Sequence, residues 1–386
     1  MNNNANNPAL NSEVYLPWCA SQHRAEVELL KELAAIPAPS NHEELRAEHI
    51  LAWLKGIGAE DAYIDPALNV VLPFPKDASD YSVFMAHTDV VFPDTTPLPV
   101  CEKDGKLFAP GIGDDTANVA ALLTIIRYIF ENKLTPVSPV LFVLNSGEEG
   151  LGNLKGVRQI CKDFEGRIKQ LISFDGCYND IVSGAVGSER WKVTAKTIGG
   201  HSYGAFGNPN AIAHMAGLIC ELYKQPVPKK EGTKTTYNAG MINGGTSVNT
   251  IAQEASMLYE YRSDDLASLE QMRAQFFERF DAANCPDAEF TRELLGERPC
   301  ASNLEAPAQK ALLNQVSEVI VRLTGREPGR HASSTDANIP MSIGIPATTF
   351  GLYIGEKAHT REENLEVASL DTGLKIGMTL ILESCF

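Results

Sequence analysis

Four short apolar runs set the frame of this chain. Tyr81 to Ala86, Pro139 to Asn145, Gln170 to Phe174 and Pro346 to Phe350 are rich in β-branched and aromatic residues, and the spacing predicts strands buried on both faces. Strands of that kind belong to parallel sheets covered by helices. Val119 to Phe130, Ala306 to Leu323 and Leu365 to Leu382 carry the apolar content and spacing of such helices. Ser40-Asn-His-Glu43 predicts the start of another, through a capping box.

The middle of the chain follows another pattern. Trp191 to Thr197 alternates like a half-exposed strand, Asn210 to Tyr223 reads as a helix, Leu258 to Arg262 as a strand and Leu266 to Phe280 as an amphipathic helix. These predict an α+β sandwich of about a hundred residues. A chain of 386 residues exceeds what one core usually supports. The expected plan is a discontinuous α/β domain, residues 1–187 and 301–386, around an inserted domain at 188–300. Its main sheet is mixed and mostly parallel. Met1 to Ser12 is Asn-rich, with neither a basic region nor an apolar h-region, and reads as a frayed end rather than a signal peptide.

The polar residues after the buried runs carry the candidate chemistry. Glu148 and Glu149 follow the second strand between Gly147 and Gly150. His87 and Asp89 end the first strand on one face. Asp114 and Asp115 stand before the helix that begins near Val119, and Asp175 follows the third strand. Each feature alone has an ordinary reading: a solvated turn, a hydrogen-bonded strand end, a helix N-cap. Together they gather acids at the carboxyl ends of strands, where open α/β sheets bind ligands. A multivalent cation is the simplest physical reason to collect so many carboxylates, because it offsets their repulsion.

Composition narrows the function classes. No apolar run approaches the eighteen residues of a membrane span. The eight cysteines are dispersed without a CxxC pair, which predicts reduced thiols in a cytoplasmic protein rather than a disulfide frame or a zinc knuckle. A net charge of −16 argues against a nucleic-acid partner.

Taken in order, MAHTDVV, GIGDDTAN, NSGEEG, SFDG and AHTREENLEV resemble the motifs of the dizinc peptidase family of peptidase T, carnosinases, carboxypeptidase G and aminoacylases. The resemblance spans nearly the whole chain. It implies two Zn²⁺ ions, with Co²⁺ or Mn²⁺ able to take the same ligands. His87 and Asp175 would hold one ion, Glu149 and His359 the other, and Asp114 would bridge both. Glu148 would be the general base toward the attacking water. Asp89 would orient His87 by accepting its other ring N–H, and the Asp114–Asp115 peptide would be cis. The inserted domain resembles the family's lid. There the His201 of GGHS would polarise the scissile carbonyl across a homodimer, and Asn249 and Arg262 would hold a substrate carboxylate, although Arg262 reads equally well as a strand-end salt bridge. Ser334 and Asp336 in His331 to Asp336 resemble a loop near the substrate and could serve only to shape it.

Two letters depart from the family pattern. Thr116 stands where a Lys is usual, and Asp175 is the acid typical of the aminopeptidases and dipeptidases, whereas the deacylases carry Glu. The implied function is hydrolysis of short peptides. An N-acyl-amino-acid deacylase on the same centre is the alternative, and a non-catalytic binding protein a third possibility that leaves Glu148 without a purpose.

Overall fold

The computed structural model describes residues 7–301 and 304–386. The four buried runs form the centre of an eight-stranded sheet. They are β1 (Tyr81–His87), β2 (Val140–Asn145), β3 (Ile168–Phe174) and β4 (Ala347–Phe350), lying side by side in the order β2-β1-β3-β4 and all parallel. Antiparallel strands close both sides: Val70–Phe74 beside β2 and Asp180–Ala185 beside β4. Every residue of β1 and β2 is buried, which is why neither run alternates. Phe84 stacks on Phe174 at 6.1 Å and Phe174 meets Phe350 edge-on at 5.4 Å, so aromatic packing ties three of the central strands together.

Five long helices complete this unit: α1 (Ser12–Ala34), α2 (Glu44–Gly56), α3 (Thr116–Glu131), α4 (Ala306–Thr324) and α5 (Val367–Cys385). α1, α3 and α5 pack on one another, and α4 packs on α5. Among the described residues no helix is long and apolar enough to cross a membrane.

The expected frayed end is corrected from Pro8 onward; residues 1–6 lie outside the described residues. Pro8–Leu10 form a 3-10 turn whose buried Ala9 accepts the Tyr128 hydroxyl at 2.7 Å, and Asn11 caps α1. One tertiary hydrogen bond and two side-chain caps hold a segment that composition alone marks as loose.

The chain divides into two compact units, Met1–Gly184 with Asn303–Phe386, and Ala185–Ser302. The second has a four-stranded antiparallel sheet in the order Thr235–Gly244, Glu254–Ser263, Gly187–Lys196, Glu289–Arg298. Helices Ala211–Tyr223 and Leu266–Ala283 pack on it around Val193, Met215, Tyr259 and Phe276. The outer strands Thr235–Gly244 and Glu289–Arg298 give a weaker sequence signal, because edge strands need no continuous apolar face.

Candidate metal centre

The carboxyl edge of the parallel strands delivers most of the candidate ligands. His87 is the last residue of β1 and pairs with Asn145 at the end of β2, so Glu148 and Glu149 begin their turn beside it. Asp175 follows β3, its N–H donating to Phe350 at the end of β4 at 3.0 Å. Asp114 lies just before α3, and the Asp114–Asp115 peptide is cis. Asp115 does not cap the helix. Its carboxylate instead accepts the His87 N–H at 2.8 Å and the Asn118 amide. His359 comes from a loop after Gly355–Glu356 with φ +65°, a left-handed conformation uncommon outside glycine.

These side chains converge. His87 Nε2 is 3.0 Å from Asp114 Oδ1, His359 Nε2 is 3.1 Å from Asp114 Oδ2, and the same nitrogen is 3.0 Å from Glu149 Oε1. Asp114 thus offers one oxygen to each histidine. Among the described residues three groups have donor atoms within 4.8 Å of one another: His87 with Asp114 and Asp175, Asp114 with Glu149 and His359, and His87 with Glu148 and Glu149. The first two share Asp114, as a pair of bridged cations requires. Two donors each about 2.0–2.1 Å from a tetrahedral zinc lie about 3.3 Å apart, close to the separations found.

The electrostatics fit the same occupant. Burial and the nearby Asp114 push Asp175 up to about 7, and burial raises Glu149 as well. Hydrogen bonds donated to the Asp114 and Glu149 carboxylates push His359 up to about 11. His87 is buried, which alone would lower it, but Asp115 and Asp114 hold it well above the usual imidazole range. The crowded acids thus keep protons themselves or draw them onto the two imidazoles. Cations satisfy the same acids and leave both imidazoles neutral, the form that ligates.

Further residues hold these ligands in place, and Arg46 and Glu363 among them carry no sequence signal of their own. The Asp89 carboxylate accepts the Glu148 N–H at 3.0 Å, the Glu149 N–H at 3.1 Å and the Ser40 hydroxyl at 2.7 Å. His87 Nδ1 is met first by the Asp89 carbonyl oxygen at 3.0 Å, with the carboxylate farther off at 3.5 Å. The expected carboxylate clamp on the ring is therefore mainly a backbone clamp, and the carboxylate fixes the two glutamates instead. Ser40 is a second correction. It does not cap α2, because its hydroxyl is engaged by Asp89, while Glu43 takes the Asn41 N–H at 2.9 Å and Lys155 at 2.8 Å.

Thr116 donates to the Gly111 carbonyl at 2.6 Å and stands 3.4 Å from the buried Arg46, which also donates to the carbonyls of Ile36 and Thr88. A fixed cation therefore lies beside Thr116. Glu363 is buried and takes three backbone N–H groups, from Gly111 and Gly113 at 2.9 Å and Asp114 at 2.8 Å.

Of the remaining candidates, Ser334 is half-buried, and Asp336 is buried and accepts the Asn145 amide at 2.7 Å. In the second unit His201 pairs with Thr250, and Ser202 N–H donates to Asn249, so these two loops adjoin. His201 Nδ1 accepts from Tyr203 N–H at 3.3 Å and Gly204 N–H at 3.2 Å, which leaves Nε2 to donate. Arg262 lies at the other end of strand Glu254–Ser263 and makes the salt bridge, 2.9 Å to Glu260. A cavity of 750 Å³ in this unit is lined by Gly200, Gly244, Gly245, Thr246 and Thr250 among others.

Comparison with known proteins agrees with this geometry. Residues 83–383 match the family model described as Peptidase family M20/M25/M40. A succinyl-diaminopimelate desuccinylase of Nitrosomonas eutropha is 25% identical over 309 residues, 75% of this chain and 79% of that protein. Among solved structures, the aminopeptidase PepT of Bacillus cereus superposes with a TM-score of 0.73 at 21% identity, covering 94% of this chain and 98% of that one. The YXEP protein of Bacillus subtilis, described as a dinuclear metal binding peptidase, gives 0.62 at 16% identity over 95% and 99%. The chain belongs to peptidase family M20/M25/M40 and is a hydrolase of the metallopeptidase type.

Proposed function

We propose that this enzyme cleaves the amide bond of short peptides, as an aminopeptidase, dipeptidase or tripeptidase, and works with two zinc ions. The observation that carries the reading is Asp114, shared between His87 and His359, with Glu148 and Glu149 pinned beside it by Asp89. His87, Asp175, Asp114, Glu149 and His359 would hold the ions; imidazole and carboxylate ligands suit zinc, and cobalt or manganese fit the same set. When bound, such ions polarise a carbonyl and acidify water. Glu148 is not needed as a ligand. Its carboxylate accepts the proton of the attacking water and returns it to the leaving amide nitrogen.

Asp175, the shorter acid, and structural neighbours such as PepT support peptide substrates. The desuccinylase names of curated relatives favour the second reading, an N-acyl-amino-acid deacylase. Di- and tripeptides assayed beside N-acetyl and N-succinyl amino acids separate the two, and turnover of acylated substrates alone rejects the peptidase reading.

The second unit would act as a lid that also pairs with a second copy. Thr235–Gly244 is an edge strand with Met241 and Ile242 exposed, a surface that invites pairing with another strand. In that dimer the Nε2–H of His201 would donate to the scissile carbonyl oxygen, and Asn249 would bind the substrate carboxylate. Ser334 would line the site, and Arg262, held by Glu260, is the weakest of the substrate-binding candidates. Eight free cysteines support a cytoplasmic location.

A further inference from the structure

We infer that Glu363 is a positioning residue that locks the loop of His359 onto the loop of Asp114, so that the second cation site is assembled only when this carboxylate is seated. The inference rests on the five-ligand reading of the centre and adds a residue outside it. Glu363 is four residues beyond His359 and belongs to none of the candidate ligand groups among the described residues.

Both of its oxygens are spoken for. Oε2 accepts from Gly111 N–H, and Oε1 accepts from Gly113 and Asp114 N–H, all between 2.8 and 2.9 Å. Three N–H groups turned toward one point form an anion-binding concavity, here filled by the chain's own carboxylate. The loop that supplies them has little freedom to find another arrangement. Gly111 is at φ +72° and a Cβ there would meet Val90 at 2.4 Å, while a Cβ on Gly113 would meet Tyr353 at 2.6 Å.

The other end of the link is weak by comparison. His359 is more than half exposed at 56%, sits at φ +65°, and reaches the centre through Asp114 and Glu149. Immediately after Glu363, Asn364 pairs with Phe108 three residues before Gly111, so the ladder brings the two loops together and the carboxylate fixes their register. His87 and Asp175, by contrast, are placed by strand ends that Glu363 does not touch. Loss of Glu363 should therefore fall on the second ion more than the first.

The test is zinc titration of metal-free wild type, Glu363→Gln and Glu363→Asp by calorimetry, with kcat and KM measured on the best peptide. Gln keeps the shape but turns an NH2 against an N–H donor, and Asp keeps the charge but is one methylene short. Glu362→Gln, an exposed neighbour, is the control. Wild type should take up two ions. Glu363→Gln should keep one at near wild-type affinity and bind the other at least tenfold more weakly, with kcat reduced, KM within about twofold, and kcat recovering as zinc is raised. Glu363→Asp should be intermediate, and it decides the matter if the Gln variant does not fold. Two ions bound with wild-type affinity by a folded variant overturn the inference, as does equal weakening of both ions. Failure of wild type to bind a pair of ions would instead remove the ligand reading beneath it.

Discussion

Replacing Asp89 with Asn tests what holds the two glutamates in place. The carboxylate accepts the N–H groups of Glu148 and Glu149 and the hydroxyl of Ser40. An amide of the same shape keeps one accepting oxygen and drives its NH2 against a backbone donor. A hydrogen bond to a charged group contributes about 1.5–3 kcal/mol, and a buried donor left unpaired costs about 1–3 kcal/mol. One bond lost with one donor stranded therefore comes to about 2.5–6 kcal/mol, and the lower end sets the effect expected. The charge of Asp89 also offsets that of the fully buried Arg46, so the loss should appear in folding as well as in rate. If the strain is expressed at Glu148, kcat/KM on the best peptide falls by about 10²-fold, since about 1.4 kcal/mol is a factor of ten. Peptide hydrolysis, zinc content and urea unfolding measured on one preparation resolve these effects. A variant within threefold of wild-type kcat/KM, with an unchanged unfolding midpoint, would refute the role given to the carboxylate.

Four further outcomes are expected. Glu148→Ala should fold and retain its metal while losing at least about 10²-fold in kcat, the low end for removing a general base; unchanged kinetics would reassign the proton transfer. Metal removal by a chelator should lower Tm, because ions bound only by the folded state at 100 times their Kd contribute about 2.7 kcal/mol; a scanning calorimetry trace indifferent to chelator would count against the centre. Glu26 in α1 is fully buried with neither oxygen hydrogen-bonded, and burial, then Asp371, raise it well above its ordinary value. The folded state thus keeps a proton that the unfolded chain releases, so wild type loses about 1.4 kcal/mol per pH unit above the unfolded pKa until the folded pKa is passed. Glu26→Gln removes that slope, and its advantage in denaturant unfolding should grow from pH 5 to pH 8; a constant difference would show that Glu26 does not titrate. Met241→Lys with Ile242→Lys should convert a dimer to a monomer by light scattering, and a dimer that survives the pair would place the interface elsewhere.

The parts of this molecule legible in its sequence are those whose cause is local. A strand buried on both faces must be apolar throughout, which gave away β1 to β4, and an acid behind a glycine turn at the end of such a strand has few places to go. α1 was not legible, because Pro17 interrupts it and the buried Glu26 breaks its apolar stripe. At Ser40 the local pattern does not decide the partner: a hydroxyl three residues before a glutamate satisfies the capping-box pattern equally well whether it meets the helix N–H or a distant carboxylate.

The residues that hold the ligands are harder still, and Glu363 shows why. It stands beside Glu362 in an acidic loop, and no local pattern distinguishes the exposed one from the buried one. Its partners Gly111 and Asp114 lie 252 and 249 positions away. A zinc ligand is drawn from His, Asp, Glu and Cys and therefore advertises itself by type. A residue that only positions a ligand is constrained by the shape of the backbone it grips, and that shape exists only after the two segments have met. Here the one trace in sequence is Gly111-Ile112-Gly113, two glycines where side chains would collide with Val90 and Tyr353. A loop forced to be that bare, with its N–H groups turned to one side, requires an acceptor from elsewhere in the chain, and the buried carboxylate of Glu363 supplies it.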